Sequence, residues 1–223
     1  MRLAKDHLTI ALPKGRLFEP SVRLFREIGL ACPDLEQGDG RRLFFEVPRK
    51  RVRFVILRAT DVPTYVEYGV ADMGIVGKDM LLEQGRDVYE PLDLGFGRCR
   101  IMVAEPASLA RGSGGTRTWS NIRIATKYPN LTERFFSQKG VPVEVIKLYG
   151  SVELAPLLGL ADRVVDLVGT GRTLKAHGLV PVEVVAECTA RLIVNRASLK
   201  IKHRRIHALV DRLAQHLVRS GKA

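Results

Sequence analysis

A short apolar run, Val164-Val165-Asp166-Leu167-Val168, leads straight into Gly169-Thr170-Gly171-Arg172-Thr173. The run reads as a buried strand, and the residues after it as a turn that opens a helix. Glycines let a backbone wrap closely round an anion, and successive N–H groups at a helix start supply donors and a favourable dipole. The Thr170 and Thr173 hydroxyls add donors, so the turn could form a cup for one phosphate. Two carboxylates stand close in sequence: Asp166 at the end of the strand and Glu153 at the start of the preceding helix. At the mouth of the cup they would accept hydrogen bonds from sugar hydroxyls or hold a Mg²⁺ carried by a phosphate. Turns of this kind also serve purely structural ends, and the spacing alone leaves both readings open.

The charge balance suits anionic ligands. The 223 residues include 36 Lys and Arg against 24 Asp and Glu, a formal net charge of +12. Such an excess draws in nucleic acid, anionic lipid, acidic protein or phosphorylated metabolites alike. Seven basic residues and one acid lie between Arg41 and Arg58, and eight basic residues and one acid lie from Arg196 onward. Arg42, Arg49, Arg51 and Arg53 read as solvated surface charges. Tyr65, Tyr68 and Tyr149 read as packing residues rather than platforms for a base. His203 and His207, four apart on a basic helix, read as a solvated face. Cys32, Cys99 and Cys188 are odd in number and lack metal-ligand spacing, which points to buried, inert thiols. No helix-turn-helix, RNP or zinc-finger pattern supports a nucleic-acid binder. The N-terminal apolar stretch is cut by Pro13 and Lys14, and no run approaches the ~20 apolar residues of a membrane helix. A soluble, cytoplasmic protein is expected.

Alternating short apolar runs and helical patterns predict an α/β protein. Strands are expected at 8–13, 43–48, 52–57, 71–77, 101–105, 122–126, 143–148, 164–168, 182–187 and 190–195. Helices are expected over 16–30, from Asp61 to Gly69, from Lys78, and over 130–140, 152–160, 173–178 and 199–220; a basic surface loop is expected at 107–118. The pattern suits two lobes, residues 1–98 completed by 188–223 and residues 99–187, with a ligand cleft between them. A single continuous doubly wound sheet is the alternative.

From Glu153 to Leu174 the chain reads E-x5-G-x-A-x2-V-x-D-L-x2-T-G-x-T-L. This segment resembles the signature of the ATP phosphoribosyltransferase family. ALPKGR (11–16), GRRLF (40–44), LRATDVPTYVEYGVADMGIVGKD (57–79), RIATKYPN (123–130), IKLYGSVELAP (146–156) and ARLIVN (190–195) are similar to family segments, in family order. The likeness implies a fold like type II periplasmic binding proteins, with the active site in the interlobe cleft. It implies transfer of the 5-phosphoribosyl group of 5-phosphoribosyl-1-diphosphate (PRPP) to N1 of ATP, with Mg²⁺ and release of pyrophosphate, as the first step of histidine biosynthesis.

The same likeness assigns residues. Gly169, Thr170, Gly171, Arg172 and Thr173 would hold the 5-phosphate, Glu153 and Asp166 the ribose hydroxyls, and Gly150 and Ser151 would approach the same ligand. Arg16 and Arg41 would stabilise the departing pyrophosphate, while Lys14, Arg58 and Asp79 would position ATP. Guanidinium groups grip phosphate oxygens in bidentate fashion. Adenine N1 carries its own lone pair, so no general base is expected. The chain resembles the short form of the family, without the histidine-sensing C-terminal domain of the long form. The resemblance therefore implies a homodimer at least, joined to a regulatory subunit similar to a histidyl-tRNA synthetase, and no role for nucleic acid or membrane. The rival is a solute-binding module of the same fold, which would bind without turnover.

Overall fold

The computed structural model describes residues 7–37, 42–112, 122–169 and 171–221. In chain order the elements are β1 (Leu8–Pro13), α1 (Phe18–Glu27), α2 (Pro33–Gln37), β2 (Phe44–Val47), β3 (Val52–Leu57), α3 (Val62–Glu67), β4 (Met73–Gly77), α4 (Lys78–Gln84) and β5 (Tyr89–Asp93). They continue with β6 (Cys99–Pro106), α5 (Ala107–Gly112), β7 (Ile122–Thr126), α6 (Pro129–Gln138), β8 (Val143–Lys147), α7 (Leu154–Leu157), β9 (Arg163–Val168) and α8 (Arg172–Ala176). Last come β10 (Leu179–Cys188), β11 (Ala190–Val194), α9 (Arg196–Ile201) and α10 (His203–Arg219). Two compact units result: Met1–Leu81 with Gly85–Gly97 and Thr189–Ala223, and Leu82–Gln84 with Arg98–Cys188. Each has its own sheet, which rules out the single continuous sheet.

The first unit's sheet has the order β2-β3-β1-β4-β11-β5. β1 runs parallel to β3 and β4, and β11 runs antiparallel between β4 and β5. All six residues of β1 are buried, as expected of an apolar strand covered on both faces. α10 contributes Ile206, Leu209, Leu213 and Leu217 to the core, spaced three and four apart. Burial of each such side chain stabilises by about 1.5–3 kcal/mol. Phe25 of α1 meets Phe54 of β3 with ring centroids 5.2 Å apart. On the other face Val62 and Val66 of α3 pack with Ala11, Val76 and Ile193.

The closing helix expected at 199–220 is two helices, α9 and α10, divided at Lys202. The Lys202 ammonium donates to both Asp72 oxygens, at 2.9 and 2.8 Å, and to the His7 carbonyl at 2.8 Å. Asp72 also accepts from Thr9 N and Ser198 Oγ, so this buried carboxylate is well satisfied. A straight helix through residue 202 would forfeit that arrangement. Arg53 corrects the solvated reading: it is buried on β3 and pairs at 2.6 Å with Glu46, its register partner on β2. His203 and His207 are exposed, and all three cysteines are buried thiols outside any disulfide.

The second unit's sheet has the order β10-β6-β9-β7-β8. β7 is parallel to β8 and β9, whereas β6 is antiparallel to β9 and β10. Of the expected surface loop, 107–112 is helical (α5), and the remainder lies outside the described residues. The helix expected at 152–160 is a single turn, α7. Among the described residues no helix is long and apolar enough to cross a membrane.

Candidate functional site

In each unit the topology singles out one edge. Chain leaving β7 goes to β8 on one side, while chain leaving β9 goes to β10 on the other. Connections that diverge from adjacent parallel strands leave a crevice beyond the strands' carboxyl ends, a usual place for a ligand. In the first unit the same divergence occurs between β1, which leads to β2 and β3, and β4, which leads to β5.

The crevice of the second unit is a depression of about 280 Å³ lined by Lys127, Tyr128, Ser151, Glu153, Asp166 and Thr173, with Val164, Leu167 and Leu174 beneath. Four residues expected to touch PRPP are thus brought together: Ser151, Glu153, Asp166 and Thr173. Asp166 lies on β9, half-buried, and its Oδ1 accepts from Leu167 N at 2.8 Å. Burial pushes its carboxyl above the ordinary value of 3.8, opposed by that Leu167 bond and by Lys127 and reinforced by the Glu153 charge. Glu153 is the half-buried cap residue of α7. A carboxylate held out of water beside another is costly unless donors arrive, and sugar hydroxyls are such donors.

The turns on either side have unusual backbone. Ser151 has φ 48°, and Arg51 is the other described non-glycine residue with positive φ. A residue held in this region costs of order 1 kcal/mol or more, a cost often found where a loop is shaped for a ligand. Gly171 has φ 73° at the start of α8, a conformation open to glycine. Gly150 and Gly169 are exposed on the same two turns, and Arg172 is the exposed first residue of α8. Thr170 lies outside the described residues.

Lys127 and Tyr128 were not singled out from sequence. A lysine after a strand looks like any solvated lysine; only the parallel pairing of β7 with β9 reveals that it faces Asp166. Thr126 anchors this turn. Its hydroxyl donates to Val165 O at 2.7 Å and accepts from Tyr128 N at 2.9 Å, tying β7 to β9 at the crevice.

In the first unit, Lys14, Arg58 and Asp79 all follow the carboxyl ends of parallel strands, β1, β3 and β4. Lys14 N donates to Leu57 O at 2.7 Å, which holds the first two turns together. The Asp79 carboxylate folds over Gly77, where an added Cβ would collide with it. Arg16 is exposed, and its Nη2 donates only weakly to Gly97 O, at 3.4 Å. Arg41 lies outside the described residues. Lys14 and Gly15 also border a second depression of about 270 Å³, with Phe18, Leu35, Phe45, Ile56 and Arg42. Arg42 is exposed as expected, yet its guanidinium lies over the Phe45 ring, 5.1 Å from the centroid. The tyrosines depart from the packing expectation: Tyr149 is 87% exposed, Tyr68 74% and Tyr65 39%.

A family model described as HisG, ATP phosphoribosyltransferase, matches residues 58–215. The ATP phosphoribosyltransferase of Geobacter metallireducens is 63% identical over 212 residues, covering 95% of this chain and 99% of that protein. The ATP phosphoribosyl transferase (HisG:HisZ) complex from Thermotoga maritima matches with a TM-score of 0.78 and 33% identity, over 93% of this chain and 97% of that one. The periplasmic aliphatic sulphonate binding protein of Escherichia coli matches with a TM-score of 0.58 over 98% of this chain and 76% of its own. At 13% identity that is a likeness of fold.

Proposed function

Because this chain belongs to the ATP phosphoribosyltransferase family, we infer that it joins N1 of ATP to C1 of the PRPP ribose, releases pyrophosphate and so opens histidine biosynthesis. The observation that carries the placement of PRPP is the crevice of the second unit. There two carboxylates, a lysine and a glycine-started helix meet at a divergence of parallel strands.

PRPP would lie with its ribose hydroxyls donating to Glu153 and Asp166. The 5-phosphate would accept from the backbone and hydroxyls of Gly169, Thr170, Gly171, Arg172 and Thr173, with Gly150 and Ser151 closing over the ligand. Lys127 adds a cation that compensates both carboxylates and phosphate. ATP would be positioned by Lys14, Arg58 and Asp79. As the N1 lone pair forms its bond to C1, the C1–O bond to pyrophosphate breaks, and Arg16 and Arg41 would take up the charge on the departing oxygens. Two unit charges ~4 Å apart repel by roughly 1 kcal/mol in water and ~4 at a protein-surface dielectric, so polyanions meet only where cations offset them. Catalysis then rests on alignment and electrostatic stabilisation, with no proton to remove from the nucleophile. Glu153 and Asp166 are the hard oxygen donors that Mg²⁺ accepts, although we read the ion as carried in by the substrate phosphates, whose charge it offsets.

We place the enzyme in the cytoplasm, with its substrates, and read it as the short form, at least a homodimer, assembled with a histidyl-tRNA-synthetase-like regulatory subunit. The Thermotoga HisG:HisZ complex supports that assembly. Calorimetric titration with Mg²⁺-PRPP tests the site: Glu153→Ala should weaken binding by about tenfold or more, the loss of one charged hydrogen bond. Unchanged affinity would remove PRPP from the crevice.

A further inference from the structure

α6 begins without a cap of its own. Its cap position is Tyr128, whose side chain makes no capping bond, and Pro129 follows in the first turn. The next two N–H groups would then lack partners, as the first amides of a helix do. Glu83 supplies them. One carboxylate oxygen accepts from Asn130 N at 3.1 Å and the other from Leu131 N at 2.9 Å, while Asn130 Nδ2 donates to Glu83 O at 3.1 Å. Arg134 donates to the Leu82 carbonyl beside it. Glu83 is only 9% exposed, and Leu82–Gln84 belongs to the second unit although the rest of α4 belongs to the first.

The turn that this carboxylate secures is Lys127-Tyr128, which lines the crevice. Thr126 holds its leading end through Tyr128 N, and Glu83 holds its trailing end through the first amides of α6. A carboxylate at a helix start also satisfies the helix dipole. We propose that Glu83 is a positioning residue of the phosphoribosyl site: a cap from 47 residues upstream that fixes the turn carrying Lys127 and so sets where its ammonium meets PRPP. The proposal rests on PRPP occupying the crevice.

The test uses the full chain with its regulatory subunit and compares Glu83→Ala, Glu83→Gln, Lys127→Ala and the Glu83→Ala/Lys127→Ala pair. Glu83→Ala should raise the KM for PRPP about tenfold, the scale of a lost charged cap, and leave the KM for ATP within about twofold. Glu83→Gln keeps one acceptor oxygen, serves as the conservative second variant, and should fall between Ala and the natural residue. The pair should be little worse than Lys127→Ala alone, because both changes disable one group. Independent, multiplying effects of Glu83 and Lys127, equal shifts for both substrates, or a PRPP KM in Glu83→Gln equal to the natural value would each overturn the proposal. If the unaltered protein binds PRPP but Lys127→Ala leaves that binding untouched, the placement of PRPP falls as well.

Discussion

Arg163 Nε donates to Glu105 Oε2 at 2.8 Å, with the two side chains 9% and 1% exposed. The pair bridges β9 and β6, antiparallel neighbours, at the end of β9 opposite the crevice. Taking both charges out of water is expensive, and their attraction repays it only while both are present. Arg163→Leu, which takes the guanidinium away from a buried carboxylate, should cost about 3–5 kcal/mol. The double change to Leu at both positions should recover most of that loss. Urea unfolding of the single and double variants checks this, and equal destabilisation by both would contradict it.

Asp166 should trade stability for binding. A carboxyl whose pKa is raised on folding holds its proton more tightly in the native state, so its ionised form destabilises the fold at neutral pH. That cost disappears as pH falls through the raised value toward 3.8. Asp166→Asn keeps the acceptor for Leu167 N and removes the charge. It should raise the melting temperature near pH 7.5 by about 1–3 °C, with the gain shrinking toward pH 4, while PRPP affinity falls at least about tenfold. Thermal melts across pH with parallel calorimetry decide; a lower melting temperature with intact affinity would count against the site.

Gly171 is constrained by backbone rather than by space. A Cβ there would meet Val168 Cγ1 at 3.9 Å, an ordinary contact, but its φ is +73°. Left-handed backbone costs a side-chain-bearing residue roughly 1–2 kcal/mol, least for Asn and most for branched residues. Gly171→Val should therefore reshape the turn and weaken PRPP binding about tenfold or more, while Gly171→Asn keeps most of the affinity. Equal affinity in a folded Val variant would detach this turn from the phosphate.

Much of this arrangement is legible in sequence because it rests on local chemistry. The 8–13 and 164–168 runs announce buried strands, and the glycines after the second announce a turn that opens a helix. What escaped depends on pairing between distant segments. Arg53 looks solvated until the register of β2 and β3 sets it opposite Glu46. Glu83 looks like one more acid on an amphipathic helix until Asn130 and Leu131 arrive from 47 and 48 residues away. The break at Lys202 has no glycine or proline to mark it; what stands there is the lysine's ion pair with the buried Asp72, 130 residues away in the chain. Tyr149 is an aromatic residue of the kind that usually packs, yet beside the Gly150-Ser151 turn it stands 87% exposed.

Arg16 should matter to turnover rather than to binding. It is exposed and, among the described residues, makes one weak bond, so its removal should change stability by less than about 0.5 kcal/mol. If its charge meets pyrophosphate as the C1–O bond breaks, Arg16→Ala should lower kcat by on the order of a hundredfold with the KM for ATP little altered. Steady-state kinetics in both substrates separate the cases, and a raised KM for ATP at normal kcat would assign Arg16 to nucleotide binding instead.

The most direct measurement follows the atoms transferred. Purified chain, alone and with a HisZ-type partner subunit, is incubated with ATP, PRPP and Mg²⁺, and both products are quantified by mass spectrometry. The expected result is one pyrophosphate for each N1-(5-phosphoribosyl)-ATP, with neither formed when ATP or PRPP is left out. Pyrophosphate accompanied by free ribose 5-phosphate, or binding of both substrates with no adduct even in the presence of the partner, would contradict phosphoribosyl transfer by this chain.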